Sequence, residues 1–69
     1  MPKIKITLNG EEKLVDNNTT LSQLITELKL DLNKIAIEKD LEIINRSDFE
    51  KTKLESGNKI EIVHFIGGG

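Results

Sequence analysis

The sequence predicts an α+β domain in which one main helix packs across one face of a mixed sheet of four to five strands. Three features of the chain lead to this prediction. Apolar and polar residues alternate near both ends, an Asn-Gly pair follows the first alternating segment, and one apolar stripe at helical spacing lies in between. A hairpin followed by a helix, with later strands joining the same sheet, gives two packed layers.

The opening hairpin is predicted over residues 3–15. Strict alternation over residues 3–8 is the pattern of a half-buried strand. Asn9-Gly10 follows at once, and both residues tolerate positive φ, which favours a tight two-residue turn. We expect residues 11–15 to return as the second strand with Leu14 on the core side. The apolar positions of the first strand are Ile4, Ile6 and Leu8.

A short helix follows a loop of turn-forming residues. Thr20 and Gln23 fit a capping box, in which each side chain satisfies a backbone N–H of the helix start. A helix of about two to three turns is too short to persist in water, so its apolar stripe has to pack on the sheet. That stripe consists of Leu21, Leu24, Ile25 and Leu28. Leu30 and Leu32 belong to an irregular link that closes the edge of the core.

The second half of the chain supplies the remaining strands. Residues 35–39 are predicted as the third strand and residues 41–44 as a short fourth strand at an edge. Residues 45–49 form a turn whose Phe49 anchors into the core. The last strand, over residues 59–66, is expected to run beside the first in the middle of the mixed sheet.

Size and composition exclude several classes of protein. The chain has 69 residues, 36% hydrophobic and 32% charged, with a formal net charge of −2, which is the balance of a folded globular domain. A chain this short buries only about 60% of the surface that its unfolded form exposes, so a deep catalytic cleft has no room. We therefore expect no enzymatic activity from this chain alone.

The kinds of partner are also restricted. Neither the acidic nor the basic residues are clustered in the sequence, and Phe49 and Phe65 are its only aromatic residues. We therefore expect no surface that binds nucleic acid. No apolar stretch approaches the roughly 18 residues of a membrane span, and no signal-peptide core follows Met1, which predicts a cytoplasmic protein that does not bind membranes. The sequence contains no cysteine, and we expect this chain to bind neither metal nor cofactor.

The glycines at the end are the candidate reactive segment. We expect a folded domain over residues 1–65 and a flexible tail over residues 66–69. Gly67, Gly68 and Gly69 have no side chains, so such a tail can lie in a narrow channel of a partner and deliver the carboxylate of Gly69. An ordinary frayed terminus is the alternative interpretation.

The last strand is predicted to place apolar residues on the face of the sheet that points away from the helix and the core. Ile60 and Ile62 should point towards the helix, so Val63 and Phe65 face away from it, where the first strand places polar residues. Exposed apolar residues beside the tail indicate a protein-binding surface, to which we assign Val63, Phe65, Ile66 and His64. The alternative is that Phe65 folds back over the sheet edge. His64 is the only histidine, and a single histidine is weak evidence for catalysis or a metal site.

These motifs together resemble the ThiS family of sulfur carrier proteins, ubiquitin-like proteins with the β-grasp fold. The resemblance covers essentially the whole chain. Its most specific parts are Asn9-Gly10-Glu11, the helix start at Thr20-Leu21, Arg46-Ser47, and the closing segment from Gly57 to Gly69. In that last segment, a turn glycine, an Ile-Glu-Ile-Val strand and a histidine before the glycines are similar to ThiS in particular.

The sequence departs from the family pattern in two turns. Many relatives have an Asn-Gly turn between the third and fourth strands, where this chain has Lys39-Asp40-Leu41. Asn58 stands where an aspartate is common. Both departures lie in turns away from the tail, so we expect them to change local geometry and to leave the implied function in place.

The resemblance implies a reaction cycle on Gly69. An E1-like adenylating enzyme of the ThiF type would activate the carboxylate with ATP and Mg²⁺, which that enzyme would bind. Sulfur from a persulfide made by a cysteine desulfurase, or from another donor, would replace AMP. A thiazole synthase of the ThiG type would then consume the Gly69 thiocarboxylate, so the chain would be a protein co-substrate of thiamine biosynthesis.

Other functions remain open at this point. The small subunit of molybdopterin synthase and ubiquitin-like protein modifiers use the same tail chemistry on the same fold. A plain interaction domain with an inert tail is an alternative of another class.

Overall fold

The computed structural model describes residues 2–65, which form a five-stranded sheet in the order β2-β1-β5-β3-β4 with one helix. Strands β1 and β5 are parallel, and the other neighbouring pairs are antiparallel. The elements are β1 (Lys3–Leu8), β2 (Glu11–Asp16), α1 (Leu21–Glu27), β3 (Ile35–Lys39), β4 (Glu42–Ile44) and β5 (Lys59–His64), with 3-10 turns at Leu32–Lys34 and Arg46–Asp48. The last strand lies in the centre of the sheet, as the sequence predicts.

The opening hairpin forms around the predicted turn, but the sequence-based assignment of Leu14 to the core is wrong. The two-residue turn pairs Leu8 with Glu11, and this register places Val15 opposite Ile4. Residues directly opposite share a face of the sheet, so Val15 enters the core and is 3% exposed. Leu14 points to the other face and is 59% exposed.

The helix begins at the predicted capping box. The Gln23 backbone N–H donates to Thr20 Oγ1 over 3.1 Å, and the Thr20 backbone N–H donates to Gln23 Oε1 over 3.0 Å. These two bonds satisfy donors at the start of a seven-residue helix that has little stability of its own.

One hydrophobic core joins the helix to the sheet, and its buried residues come from the helix, from four of the five strands, and from Phe49 and Leu54. Phe49 is 3% exposed and anchors the segment after β4, as expected. Leu28, Leu30 and Leu32 are partly buried against this core. The core residues are Ile6, Val15, Leu21, Leu24, Ile25, Ile35, Ile37, Phe49, Leu54, Ile60 and Ile62. Within residues 2–65, no helix has the length and apolar character needed to cross a membrane.

The turn between β3 and β4 places a leucine in a strained conformation. Asp40 and Leu41 both have positive φ, 51° and 74°, as a type I′ turn requires. The fourth strand therefore begins at Glu42, one residue later than predicted, because Leu41 belongs to the turn. The Leu41 side chain is 77% exposed, so burial within the described chain does little to offset this strain.

Replacing Leu41 with glycine is expected to stabilise the fold. A leucine in the left-handed conformation costs about 1–2 kcal/mol, and glycine removes this strain. Glycine also gives the unfolded chain more conformational freedom, which offsets roughly 0.5–1 kcal/mol of the gain. The free energy of unfolding in urea should therefore rise by about 0.5–1 kcal/mol. Leu41→Ala, which keeps the Cβ and its strain, should show little gain. A loss of stability in Leu41→Gly would mean that the leucine side chain supports the fold.

Candidate functional site

The end of β5 is held firmly on its β3 side. In the register of these strands, Val63 lies opposite Ala36 and His64 opposite Ile35. The Phe65 backbone N–H donates to the Lys34 carbonyl oxygen over 2.9 Å, so the pairing continues one residue beyond the strand. The chain is therefore fixed by main-chain bonds up to the residue that precedes Ile66.

On its other side, β5 extends past the end of β1. Strand β1 pairs with β5 only as far as Leu8 opposite Ile60. Asn9 closes this ladder with two bonds: its backbone N–H donates to the Ile60 carbonyl over 2.9 Å, and its Oδ1 accepts the Ile62 N–H over 2.8 Å. The hairpin turn thus holds the last strand at the point where the strand leaves β1.

The sequence assigned Asn9 to the turn alone and missed this second role. An aspartate or asparagine at the first turn position offers a side-chain oxygen, but its target lies 53 residues away in the chain. Only the parallel pairing of the first and last strands brings the two together.

The predicted orientation of β5 is confirmed. Ile60 and Ile62 are in the core, whereas Val63 and Phe65 are 58% and 57% exposed on the opposite side of the sheet, which we call the outer face. The exposure of Phe65 argues against the alternative in which it folds back over the sheet edge.

His64 is also exposed, on strand β5 opposite Ile35. Among residues 2–65, it belongs to no group of histidine and acidic side chains that could hold a metal ion. The other predicted site residues, Ile66, Gly67, Gly68 and Gly69, lie outside the described residues.

The outer face contains exposed apolar residues that the sequence analysis did not assign to it. Ile43 of β4 is 74% exposed and lies opposite Glu38 of β3. Ala36 lies two residues from Glu38 on the same face, opposite Val63. Ile43, Ala36, Val63 and Phe65 lie on this same face, and we call this group of apolar residues the outer patch. Phe65 directly precedes Ile66 in the sequence, and Ile43 belongs to the edge strand β4.

Comparison with known proteins decides the family. The model of the ThiS family matches residues 4–69, which includes every predicted site residue. The chain belongs to the ThiS family. The prediction made from the turn, helix-start and closing motifs is thereby confirmed.

The fold of the ThiS family is confirmed as well. The crystal structure of the thiamine biosynthesis protein ThiS from Geobacter metallireducens is similar to this chain with a TM-score of 0.82 and 28% sequence identity, over 96% of this chain and 100% of that one. The mixed five-stranded sheet with one helix is the ubiquitin-like β-grasp fold.

Two kinds of curated relative are similar to the chain. The sulfur carrier protein ThiS of Bacillus subtilis is 32% identical over 65 residues, which covers 93% of this chain and 98% of that protein. A thiazole synthase of Paramagnetospirillum magneticum is 41% identical over 66 residues, which covers 96% of this chain. The chain spans only 20% of the length of that thiazole synthase, so a ThiS-like region is part of a much longer protein there.

Proposed function

We propose that this chain is a sulfur carrier protein of thiamine biosynthesis and that its reactive group is the C-terminal carboxylate of Gly69. The observation that carries the proposal is the family match, which continues through the three glycines to Gly69. The Bacillus subtilis relative, which this chain covers almost completely, has that carrier function in its name. The firmly paired root of the tail at Phe65 supports the same role, because it gives the reactive end a fixed starting point.

The first step of the proposed cycle is activation of the carboxylate. A carboxylate is a poor electrophile because its charge is shared by two oxygens. In an E1-like adenylating enzyme, a Gly69 oxygen attacks the α-phosphorus of ATP, pyrophosphate leaves, and an acyl-adenylate forms. ATP and Mg²⁺ bind to that enzyme, and this chain contributes only its terminus.

The second step replaces AMP with sulfur. The outer sulfur of a cysteine persulfide attacks the Gly69 carbonyl carbon and AMP leaves. A second thiol then cleaves the sulfur–sulfur bond, which releases the thiocarboxylate and leaves a disulfide between the two thiols. Because the chain has no cysteine, none of its own side chains can attack the acyl-adenylate as a thiol.

We propose thiazole synthase as the protein that consumes the thiocarboxylate. Relatives named thiazole synthase contain a region 41% and 38% identical to this chain, each over 20% of their length. A carrier domain and the enzyme that it supplies are plausible parts of one polypeptide, since joining them raises their effective concentration.

The test is the intact mass of the chain after incubation with ATP, an E1-like adenylating enzyme and a persulfide donor. A gain equal to the exchange of one oxygen for one sulfur is expected for the carrier. Attachment to lysines of other proteins would indicate a modifier instead, and an unchanged mass would leave only an interaction domain. Transfer of the thiocarboxylate sulfur in the thiazole synthase reaction, and not in the molybdopterin synthase reaction, identifies the pathway.

We propose that Val63, His64, Phe65 and Ile66 contact the adenylating enzyme. Val63→Asp and Phe65→Asp are each expected to weaken binding at least about ten-fold, because a charge would replace an apolar contact at the root of the tail. Isothermal titration calorimetry measures the affinity. Leu14→Asp is the matched control, since Leu14 is equally exposed on the outer face but belongs to β2. If Val63→Asp or Phe65→Asp costs stability in proportion to affinity, the side chain supports the fold instead.

A further inference from the structure

Two glutamates occupy directly opposite positions in the middle of the outer face. Glu38 of β3 is directly opposite Glu61 of β5 in the register of these strands, and both side chains are half-buried. Like charges at directly opposite positions destabilise a sheet. We therefore expect this pair to lower the stability of the sheet.

Neither glutamate takes part in an ion pair within the described chain. The ion pairs among residues 2–65 join Lys3 to Asp16, Lys5 to Glu12, Lys13 to Glu27 and Lys39 to Asp40. Lys59 lies two residues before Glu61 on the same face of β5, yet the structure records no ion pair between them. Glu38 and Glu61 are thus without a direct ion-pair partner among residues 2–65.

The carboxylate pair lies inside the outer patch. Val63 follows Glu61 by two residues on the same face, and Ile43 lies opposite Glu38 on the far side of β3. Any protein that covers Val63 and Ile43 also covers the two carboxylates and removes their water. Buried carboxylates without a cation are strongly unfavourable, so the covering surface has to supply one.

We propose that the adenylating enzyme docks on the outer patch with an arginine or lysine placed between Glu38 and Glu61, and with apolar side chains against Ile43 and Val63. This inference rests on the proposed function and adds the chemistry of the partner's surface. An arginine suits the site because its planar guanidinium can donate to two carboxylates at once.

The same charges disfavour other occupants. A second copy of the chain stacked on the outer patch would bring four carboxylates together with no cation between them. Nucleic acid would meet them with its own negative phosphates. A protein surface that combines positive charge with apolar groups fits both features of the patch.

The test is the double variant Glu38→Gln/Glu61→Gln, whose effects on binding and on stability should have opposite signs. Affinity for the adenylating enzyme should fall about ten-fold or more, and the salt dependence of binding should become weaker. The melting temperature of the free chain should rise by roughly 1–5 °C, because the cross-strand repulsion is removed. A merely structural role of the carboxylates would not give this combination.

The matched control is Glu11→Gln/Glu50→Gln, which changes the net charge equally at two exposed positions away from the outer patch. This control should bind the adenylating enzyme with wild-type affinity. Such a result would show that the change in net charge does not cause the loss of affinity in Glu38→Gln/Glu61→Gln.

The outcomes separate this inference from the proposed function. If the wild type is adenylated and Glu38→Gln/Glu61→Gln binds with unchanged affinity, the docking inference is overturned and the carrier function stands. If the wild type itself is not adenylated by the enzyme, the proposed function fails and the docking inference fails with it. Dimerisation of the wild type in sedimentation velocity, abolished by Val63→Asp, would overturn the inference by assigning the patch to a second copy.

Discussion

Deletion of Gly68 and Gly69 is expected to abolish sulfur loading of the chain while its melting temperature changes by less than about 2 °C. Loading should be lost because Gly67 would then be the terminal residue, two residues short of the position that the adenylating enzyme has to reach. Stability should be retained because the core residues of the described chain lie between Ile6 and Ile62. Intact mass spectrometry after the loading reaction, together with thermal unfolding followed by circular dichroism, measures both effects.

The shortened chain also provides its own control for docking. It keeps Val63, Phe65 and the Glu38–Glu61 pair, so it should compete with the wild type for the adenylating enzyme and inhibit loading of the wild type. A chain extended by one glycine keeps a tail that is long enough but moves the terminal carboxylate one residue beyond Gly69. It tests whether loading depends on the position of the carboxylate and not only on sufficient reach. Sulfur loading of the shortened chain, or a large fall in its melting temperature, would contradict the proposal that the terminus is a reactive group and not part of the fold.

Much of the fold could be predicted because its signals are local. The Asn9-Gly10 turn needs positive φ at two successive residues, and the structure has 48° and 83° there. The Thr20–Gln23 capping box involves groups three residues apart and forms as predicted. Alternation in β5 likewise predicted which side of the sheet Val63 and Phe65 occupy.

The errors come from features that depend on register. The sequence analysis placed Leu14 on the core side of the second strand, whereas Val15 occupies that position. A two-residue turn fixes which residue faces Ile4, and a shift by one position moves every side chain of the strand to the other face. The turn geometry, and not the hydrophobicity of Leu14, determined the outcome.

The candidate site could be predicted only where it lies on one strand. The bond from Ile62 to Asn9 and the pairing of Glu38 with Glu61 both depend on the order β1-β5-β3 of the sheet. The sequence predicted that the last strand runs beside the first, but local patterns specified neither which residues face each other nor that β3 pairs with β5. The sequence alone therefore indicated the exposed residues of β5 and missed the groups that β1 and β3 add to them.

The two turns that depart from the family pattern are in contact with each other. Asn58 is 7% exposed, and its side-chain amide donates to Asp40 Oδ2 over 2.9 Å. Asn58 Oδ1 accepts the Glu55 N–H over 2.7 Å, and Asp40 Oδ1 accepts the Lys59 N–H over 2.8 Å. These three bonds tie the β3–β4 turn to the start of β5. Because the Asn58 amide donates to the Asp40 carboxylate, the residues at the two positions are coupled.

Asn58→Asp is therefore expected to destabilise the fold by about 1–3 kcal/mol. The substitution removes the donor to Asp40 and places two carboxylates at hydrogen-bonding distance in a partly buried site. For a domain of this size, a loss of that magnitude lowers the melting temperature by roughly 4–20 °C. Asp40→Asn alone should also be destabilising, because two side-chain amide donors would then face each other.

The double variant Asp40→Asn/Asn58→Asp should recover most of the stability that each single change removes. An amide at position 40 can donate to a carboxylate at position 58, while its oxygen still accepts the Lys59 N–H and the new carboxylate still accepts the Glu55 N–H. All three bonds then persist, with one reversed in direction, and the amide and carboxylate are distributed as is common in the family. Urea unfolding of the four proteins gives the coupling energy, which should be at least about 1 kcal/mol. If the losses in the free energy of unfolding simply add in the double variant, the contact between Asp40 and Asn58 does not couple the two positions.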